Sequence, residues 1–313
     1  MPTSQLGFGL AILSAASFAT SGPFGDALFA AGWSPAAAIT ARVLLAAAAL
    51  AVPALFALHG KWHLVRTNAA RLVAYGLLAI TVAQLCFFNA ITHLPVGVAL
   101  LLEYSGVLLV VGWMWLRHGQ RPGRVTLAGV TVAIVGLLFV LDVRQAGGIS
   151  LVGVLWGLGA AVGLAAYYVL SAQVDPELPP VAMAWTGMIV GGLALLVAGL
   201  IGLAPLHAST HQVTLLHHRM SWLVPVLGVS LLAAAFAYAA GIGAARRLGA
   251  RLSSFAGLTE VLFAVLFAWL LLGQLPTTSQ LFGGVLVVTG VALVKAGEPS
   301  GSPELNTVVP ELV

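Results

Sequence analysis

Charge is scarce in this sequence. Asp, Glu, Lys and Arg make up 7% of its 313 residues, against roughly a quarter in soluble domains, while 60% are hydrophobic and mean hydropathy is +1.06. A chain of this composition cannot cover its surface in water, so its solvent is a bilayer. Cys86 is the only cysteine, which excludes an internal disulfide and a cysteine-built metal site. Residues 1–5 carry no Lys or Arg. Without the basic start of a cleavable signal peptide, the first apolar run is expected to remain as a helix. Segments of alternating hydrophobicity about ten residues long are missing, which argues against an outer-membrane β-barrel. No strand precedes "GFG" at Gly7 and no Lys-Ser/Thr follows it, so a phosphate-cradling loop and ATP driving find no support. No catalytic constellation lies at one depth, so no catalytic residue and no cofactor is assigned. His207, His211, His217 and His218 crowd one stretch, but no carboxylate is near and the spacing fits no zinc site. No metal is expected there.

Long apolar runs are abundant. A spanning helix needs about 20 largely apolar residues, and ten such runs occur, at 5–30, 35–58, 72–92, 95–116, 125–142, 149–173, 181–204, 221–243, 251–272 and 279–295. The expected fold is therefore an all-α integral membrane protein. With the N-terminus in the cytoplasm, Lys61, Arg66, Arg71, Arg117, Arg121, Arg124, Arg246, Arg247, Arg251 and Lys295 fall inside. Arg144 and Arg219 fall outside, and Arg42 lies within a helix. This asymmetry is a positive-inside signal. It assigns the basic residues to topology, excludes nucleic acid as the partner, and puts both termini in the cytoplasm. The residues from 296 onward, rich in Pro, Ser and Glu, are expected to be a disordered cytoplasmic tail.

The chain repeats itself. "WLRHGQRPGRVTLAGVTVAIVG" from Trp115 and "WLLLGQLPTTSQLFGGVLVVTG" from Trp269 match at an offset of 154. The shift pairs Gly119-Gln120 with Gly273-Gln274, Pro122 with Pro276, Gly129 with Gly283 and Gly136 with Gly290. Five helices per copy is an odd number, so the copies, 1–145 and 146–295, are expected to be inverted relative to each other. The charges agree: "GQRPGR" is basic and falls inside, whereas "GQLPTTSQ" is uncharged and falls outside. Inverted repeats with a site near the midplane are an architecture of secondary transporters.

Two five-helix repeats, each ending in a helix pair built on Gly-Gln-x-Pro and spaced glycines, resemble the EamA-type drug/metabolite transporter superfamily over essentially residues 5–295. Where the superfamily usually has an acid, Gln120 and Gln274 stand here. "TEVLFAVLFAWLLLGQLP" resembles its Leu-Glu-Pro-Val stretch, with Glu260 at the acid and Leu262 in place of the proline. "SFATSGPFGDALFAAGWSP" and "LLLEYSGVLLVVGWMWLRHGQRP" look most like bacterial inner-membrane exporters within it. That resemblance implies export of aromatic and other hydrophobic amino acids.

Candidate site residues follow from polarity at depth. Ser14, Ser17 and Ser21 share one face of the first helix, and Gly22-Pro23 should break it. A hydroxyl stripe also serves as helix-packing glue. Gln84 and Tyr238 are paired by the 154 offset, a polar position in both copies, where a shared cavity and a satisfied core amide are both open readings. Trp33, Trp62, Trp115, Trp222 and Trp269 stand near helix ends and suit an interfacial belt. Tyr104, Trp113, Trp156, Tyr167, Trp185 and Tyr238 lie deeper, where each phenol or indole needs a hydrogen-bond partner.

Two acids, Glu103 and Glu260, fall well inside helices. Glu103 is eight residues from Pro95, about 12 Å deep at the helical rise, and Glu260 is nine residues from Arg251. Arg42, seven residues into its helix from Pro35, matches the depth of Glu103, so an ion pair between them is expected. No basic residue is in view for Glu260, which must be protonated, water-facing or paired with something that comes and goes. Ser17, Gln84, Glu103, Tyr104, Trp185, Tyr238 and Glu260 are the substrate-binding candidates. The reading is an inner-membrane exporter of amino acids or related small metabolites working by alternating access, with protons a candidate coupling ion. Drug-like cations or nucleobase-type metabolites are the alternative cargo. An integral-membrane enzyme or a channel is the alternative class.

Overall fold

The computed structural model describes residues 3–94, 96–141, 150–215, 218–272 and 275–297. Pro95, Arg144, His217, Gly273, Gln274, the expected junction at 145/146 and the tail from 298 lie outside the described residues. The chain is mostly helical. In order it forms α1 (Thr3–Ala19), α2 (Ser21–Ala30), α3 (Pro35–Ala57), α4 (Trp62–Thr67) and α5 (Ala69–Ala74). A π-helical segment, Tyr75–Val82, leads into α6 (Ala83–Ile91), α7 (Val96–Tyr104), α8 (Gly106–His118), α9 (Arg124–Val140), α10 (Leu151–Gln173) and α11 (Pro180–Leu200). A short hairpin follows, with β1 (Val213–Leu215) antiparallel to β2 (His218–Met220). Then come α12 (Leu223–Leu227), a second π-helical segment, Gly228–Phe236, α13 (Ala237–Gly257), α14 (Thr259–Leu272) and α15 (Thr278–Gly297).

Eight helical runs among the described residues are long and apolar enough to cross a membrane, and the protein is multi-pass. The difference from ten runs has a simple origin. Leu223–Gly257 is one run of 35 residues, although Gly249 inside it takes the non-helical angles φ 78° and ψ 164°. The helix α9 has 17 residues and α14 has 14.

Small residues let these helices approach. Without a hydrophobic drive between helices in lipid, packing relies on close backbone contact. The repeated glycines supply it where α9 crosses α15. A Cβ on Gly129 would sit 2.8 Å from the Gly290 carbonyl oxygen, and one on Gly136 would sit 2.7 Å from that of Gly283. The first glycine of one helix thus meets the second glycine of the other, so the two helices run antiparallel. Gly119, with φ 67°, closes α8 in the left-handed conformation, and its Gln120 amide reaches back to the Met114 carbonyl at 3.1 Å. In its first copy the Gly-Gln-x-Pro motif is therefore a helix stop.

Three helices break where a hydroxyl turns back on its own backbone. Thr20 Oγ1 donates to the Ser17 carbonyl at 2.7 Å between α1 and α2. Ser105 Oγ donates to Leu102 at 2.5 Å between α7 and α8, and Thr259 Oγ1 to Ala256 at 2.7 Å between α13 and α14. Donor and acceptor in the last two pairs are each 154 residues apart, so the breaks are repeat partners. The π-helical segments are partners too: they start 153 and end 154 residues apart. Such segments often mark functional sites inside α-helices.

Candidate functional site

Two of the helix breaks adjoin the two half-buried acids. Glu103 lies two residues before the Ser105 break, and Glu260 one residue after Thr259. The halves differ by an exchange one turn apart: Glu103 corresponds to Gly257, and Gly106 to Glu260. Each glycine makes room. Gly257 seats the Tyr168 hydroxyl, and Gly106 lies against the Ala161 backbone.

Arg42, on α3, is buried. Its Nη2 donates to the Ala233 carbonyl of the second π-helical segment at 2.6 Å. Among the described residues no carboxylate makes a direct ion pair with it, and it lies in the field of both Glu260 and Glu103. Two expectations are corrected here. The Arg42–Glu103 ion pair does not form; Arg42 Nη2 is directed to a main-chain oxygen instead. Nor is Glu260 out of reach of a cation, since Arg42 acts on it as well. Counting residues from helix ends gives depth but not direction around the axis, and Arg42 faces both acids.

Phenols complete the centre. The Tyr104 hydroxyl stands beside the Glu260 carboxyl, and Gln84 beside the Tyr238 hydroxyl. The repeat pair Gln84 and Tyr238 therefore meets across the interface of the two halves. Phe18, Tyr167 and Tyr238 form an edge-to-face cluster, with Phe18 and Tyr238 ring centroids 4.9 Å apart and Tyr167 and Tyr238 5.5 Å apart. The Arg42 guanidinium carbon stands 6.0 Å from the Phe18 ring centroid, within cation–π range. A void lined by Ser14, Phe18, Tyr167, Tyr168, Ser253 and Glu260, among others, has a volume of about 10 Å³. That holds about one water and excludes an amino acid, so the centre is closed in this conformation.

Glu103, Tyr104, Gln84, Tyr238 and Glu260 are thus brought together. Ser17 is buried at the α1–α2 break, where its carbonyl accepts from Thr20, and it does not line the void. Ser14, on the same stripe, lines the void and donates to the Ala237 carbonyl at 2.7 Å. Trp185 does not line the void. Its ring meets Trp62, centroids 6.5 Å apart, because α11 begins at Pro180 and five residues of helix reach only about 7.5 Å inward. Trp33 is also displaced from its expected belt role. It is buried, packs on Trp222 at 5.7 Å and donates Nε1 to the Ser209 carbonyl at 2.6 Å. Trp113 and Trp156 are exposed on the outer face of the bundle. Tyr168 and Phe18 were not evident in the sequence. Their best signal is the pair of glycines, Gly241 and Gly257, that seat the Tyr167 and Tyr168 hydroxyls.

Both ends of the bundle are tied. At one end Ser34 Oγ donates to the Pro205 carbonyl at 2.6 Å, its amide to His207 at 2.8 Å, and the His207 amide returns a bond to Ser34 Oγ at 2.9 Å. At the basic end Arg251 donates to the Gln120 carbonyl at 2.8 Å and Arg246 to that of Leu178.

A closed polar centre in a bundle of apolar helices, assembled from two related halves, defines a membrane transporter of small molecules. The EamA-like transporter family model matches residues 5–142 and again 151–296, and the chain belongs to that family. It is 22% identical over 238 residues, 73% of its length, to YicL of Salmonella typhimurium, an uncharacterized inner membrane transporter of which it covers 74%. A solved structure titled only as the crystal structure of a protein shares the fold, with a TM-score of 0.72 and 19% identity over 94% of this chain and 97% of that one.

Proposed function

We propose that the chain is a secondary exporter of small zwitterionic metabolites, hydrophobic and aromatic amino acids foremost, working by alternating access across a bacterial inner membrane. One observation carries the reading. A guanidinium lies in the field of two carboxyls and beside a cluster of aromatic rings, and one of those carboxyls, Glu260, borders a small void together with Phe18 and Tyr167. Arg42 suits a cargo carboxylate, Glu260 or Glu103 its ammonium, and the rings of Phe18, Tyr167 and Tyr238 a flat side chain. A void of one-water size between ties at both ends supports a carrier that opens to one side at a time, and gives no support to a channel.

With the Gly249 run cut there, its last residues joined to α14 as one crossing and α9 added, the eight runs become ten crossings in two inverted halves, 1–145 and 146–295. The antiparallel glycine contact of α9 and α15 supports that inversion. The basic end then faces the cytoplasm with both termini, and a reporter fused after Val313 that reads periplasm would overturn the orientation. Two carboxyls against one guanidinium leave an acid in excess. That specifically favours, as a second reading, exchange of protons or a cationic cargo at Glu260. Uptake of a panel of labelled amino acids and organic cations into proteoliposomes, with and without a pH gradient, tests these readings. Saturable uptake of L-phenylalanine is the expected result; uptake confined to cations would replace the first reading with the second.

A further inference from the structure

A second set of polar groups lies at the basic end, outside the central void. Tyr75 begins the first π-helical segment, Ser171 stands near the end of α10, and Arg246 lies on α13. Tyr75 and Ser171 are fully buried. The two hydroxyls face each other near Arg246, yet neither makes a hydrogen bond of good geometry. The Arg246 guanidinium is unevenly used. Nη1 donates to the Leu178 carbonyl, Nη2 points only at the Met183 sulfur, at 3.4 Å, and Nε is buried without a partner. A thioether is a weak acceptor. Nε and Nη2 form the edge on which a guanidinium takes a carboxylate side-on through two parallel bonds. Arg246 thus presents, unspent, the edge suited to a carboxylate, with two unspent hydroxyls beside it. Asp175 and Arg247 are the other charged groups acting on Arg246. Asp175 Oδ1 accepts from the Glu177 amide at 2.9 Å, and no ion pair with Arg246 forms. The cluster adjoins the central site, since the Tyr75 and Tyr167 rings lie 6.2 Å apart and Tyr167 lines the void.

We infer that Arg246, Tyr75 and Ser171 form a carboxylate-binding site at the basic mouth of the bundle, separate from the Arg42 centre. Its ligand is a small organic carboxylate, such as the acid group of a cargo molecule before it reaches the centre. A guanidinium edge flanked by two hydroxyls that can each donate, with no carboxylate paired to it, suits an anion, and the hydroxyls add directionality that a lone arginine lacks. The inference needs no particular cargo to be exported.

The test is calorimetric titration of the purified full-length protein with phenylacetate, and with phenethylamine as the amine control. Wild-type protein should bind phenylacetate saturably, and Arg246→Met should weaken that binding at least ten-fold. Arg246→Lys, which keeps the charge but loses the side-on edge, should weaken it nearly as much. Tyr75→Phe and Ser171→Ala separate binding from structure. Each removes a buried hydroxyl that lacks a good partner, so each should leave the melting temperature equal or higher while weakening phenylacetate at least three-fold. Any of three results would overturn the site. One is no phenylacetate binding by wild type. Another is binding lost in Arg42→Met but kept in Arg246→Met. The third is hydroxyl variants that melt lower and bind normally. If L-phenylalanine is not transported but phenylacetate binding depends on Arg246, the proposed export fails and this site stands.

Discussion

Glu260 sits one residue past a helix break, beside the Tyr104 phenol and in the field of Arg42, and it borders the void. A glutamine there keeps the size and can still accept from Tyr104, so Glu260→Gln should express and melt like wild type. It removes the one group at the void's edge that can trade a proton or hold an ammonium, so transport should fall at least ten-fold. Normal transport at every pH tested would make Glu260 a bystander, and aggregation would make it structural. Arg42 should behave differently. Its removal leaves two acids without their cation and the Ala233 carbonyl without its donor, and breaking such a buried arrangement costs about 3–5 kcal/mol. Double-mutant cycles on the melting temperature should show coupling of Arg42→Met with Glu260→Gln at least as large as with Glu103→Gln. Coupling to Glu103 alone would restore the simple pair that depth counting suggests.

At the scale of elements, the repeat motif fixes how the halves meet. Gly136 and Gly290 should each fail as alanine. Their added Cβ atoms would lie 2.6 Å from the Val287 amide nitrogen and 2.5 Å from that of Ala133, and backbone cannot yield as a side chain does. Overpacking of this kind costs about 1–3 kcal/mol. Gly112 has nothing within 4 Å of such a Cβ, so Gly112→Ala should hold or raise the melting temperature, because alanine favours helix. Equal losses at all three would remove the glycine contact as the reason for the repeat. These glycines, the helix spans and both acids were legible because composition and a fixed offset carry them. The helix breaks at Ser105 and Thr259 were not, since one hydroxyl amid apolar residues gives the same local signal whether it bonds forward, back or across. The π-helical segments carry no Pro, and no run of polar residues marks them either. Arg42's real partner, the Ala233 carbonyl, lies 191 residues away and is main chain, so no side-chain pattern could announce it.

For the whole molecule, the question is which contacts must part for a closed centre to take cargo. The end opposite the basic one is held by a cap that has no counterpart in the first half. The β1–β2 hairpin and the 201–212 stretch lie over α2 and the start of α3, with Trp33 on Trp222 and Ser34 laced to Pro205 and His207. The matching connection at the basic end of the first half is the short helix α4. If cargo leaves past the cap, the Ser34–His207 contact must open in every cycle. Cysteines at those two positions, in a Cys86→Ala background that leaves no other thiol, should form a disulfide in the closed state, since the two residues exchange backbone and side-chain bonds at 2.8 and 2.9 Å. Oxidation should then abolish amino acid exchange in proteoliposomes, and a reductant should restore it. Each single cysteine should be indifferent to oxidation. The locked protein should also melt at a higher temperature, because the bridge closes a long loop. Exchange at an undiminished rate with the disulfide intact would show that the cap is a fixed roof and that cargo exits elsewhere.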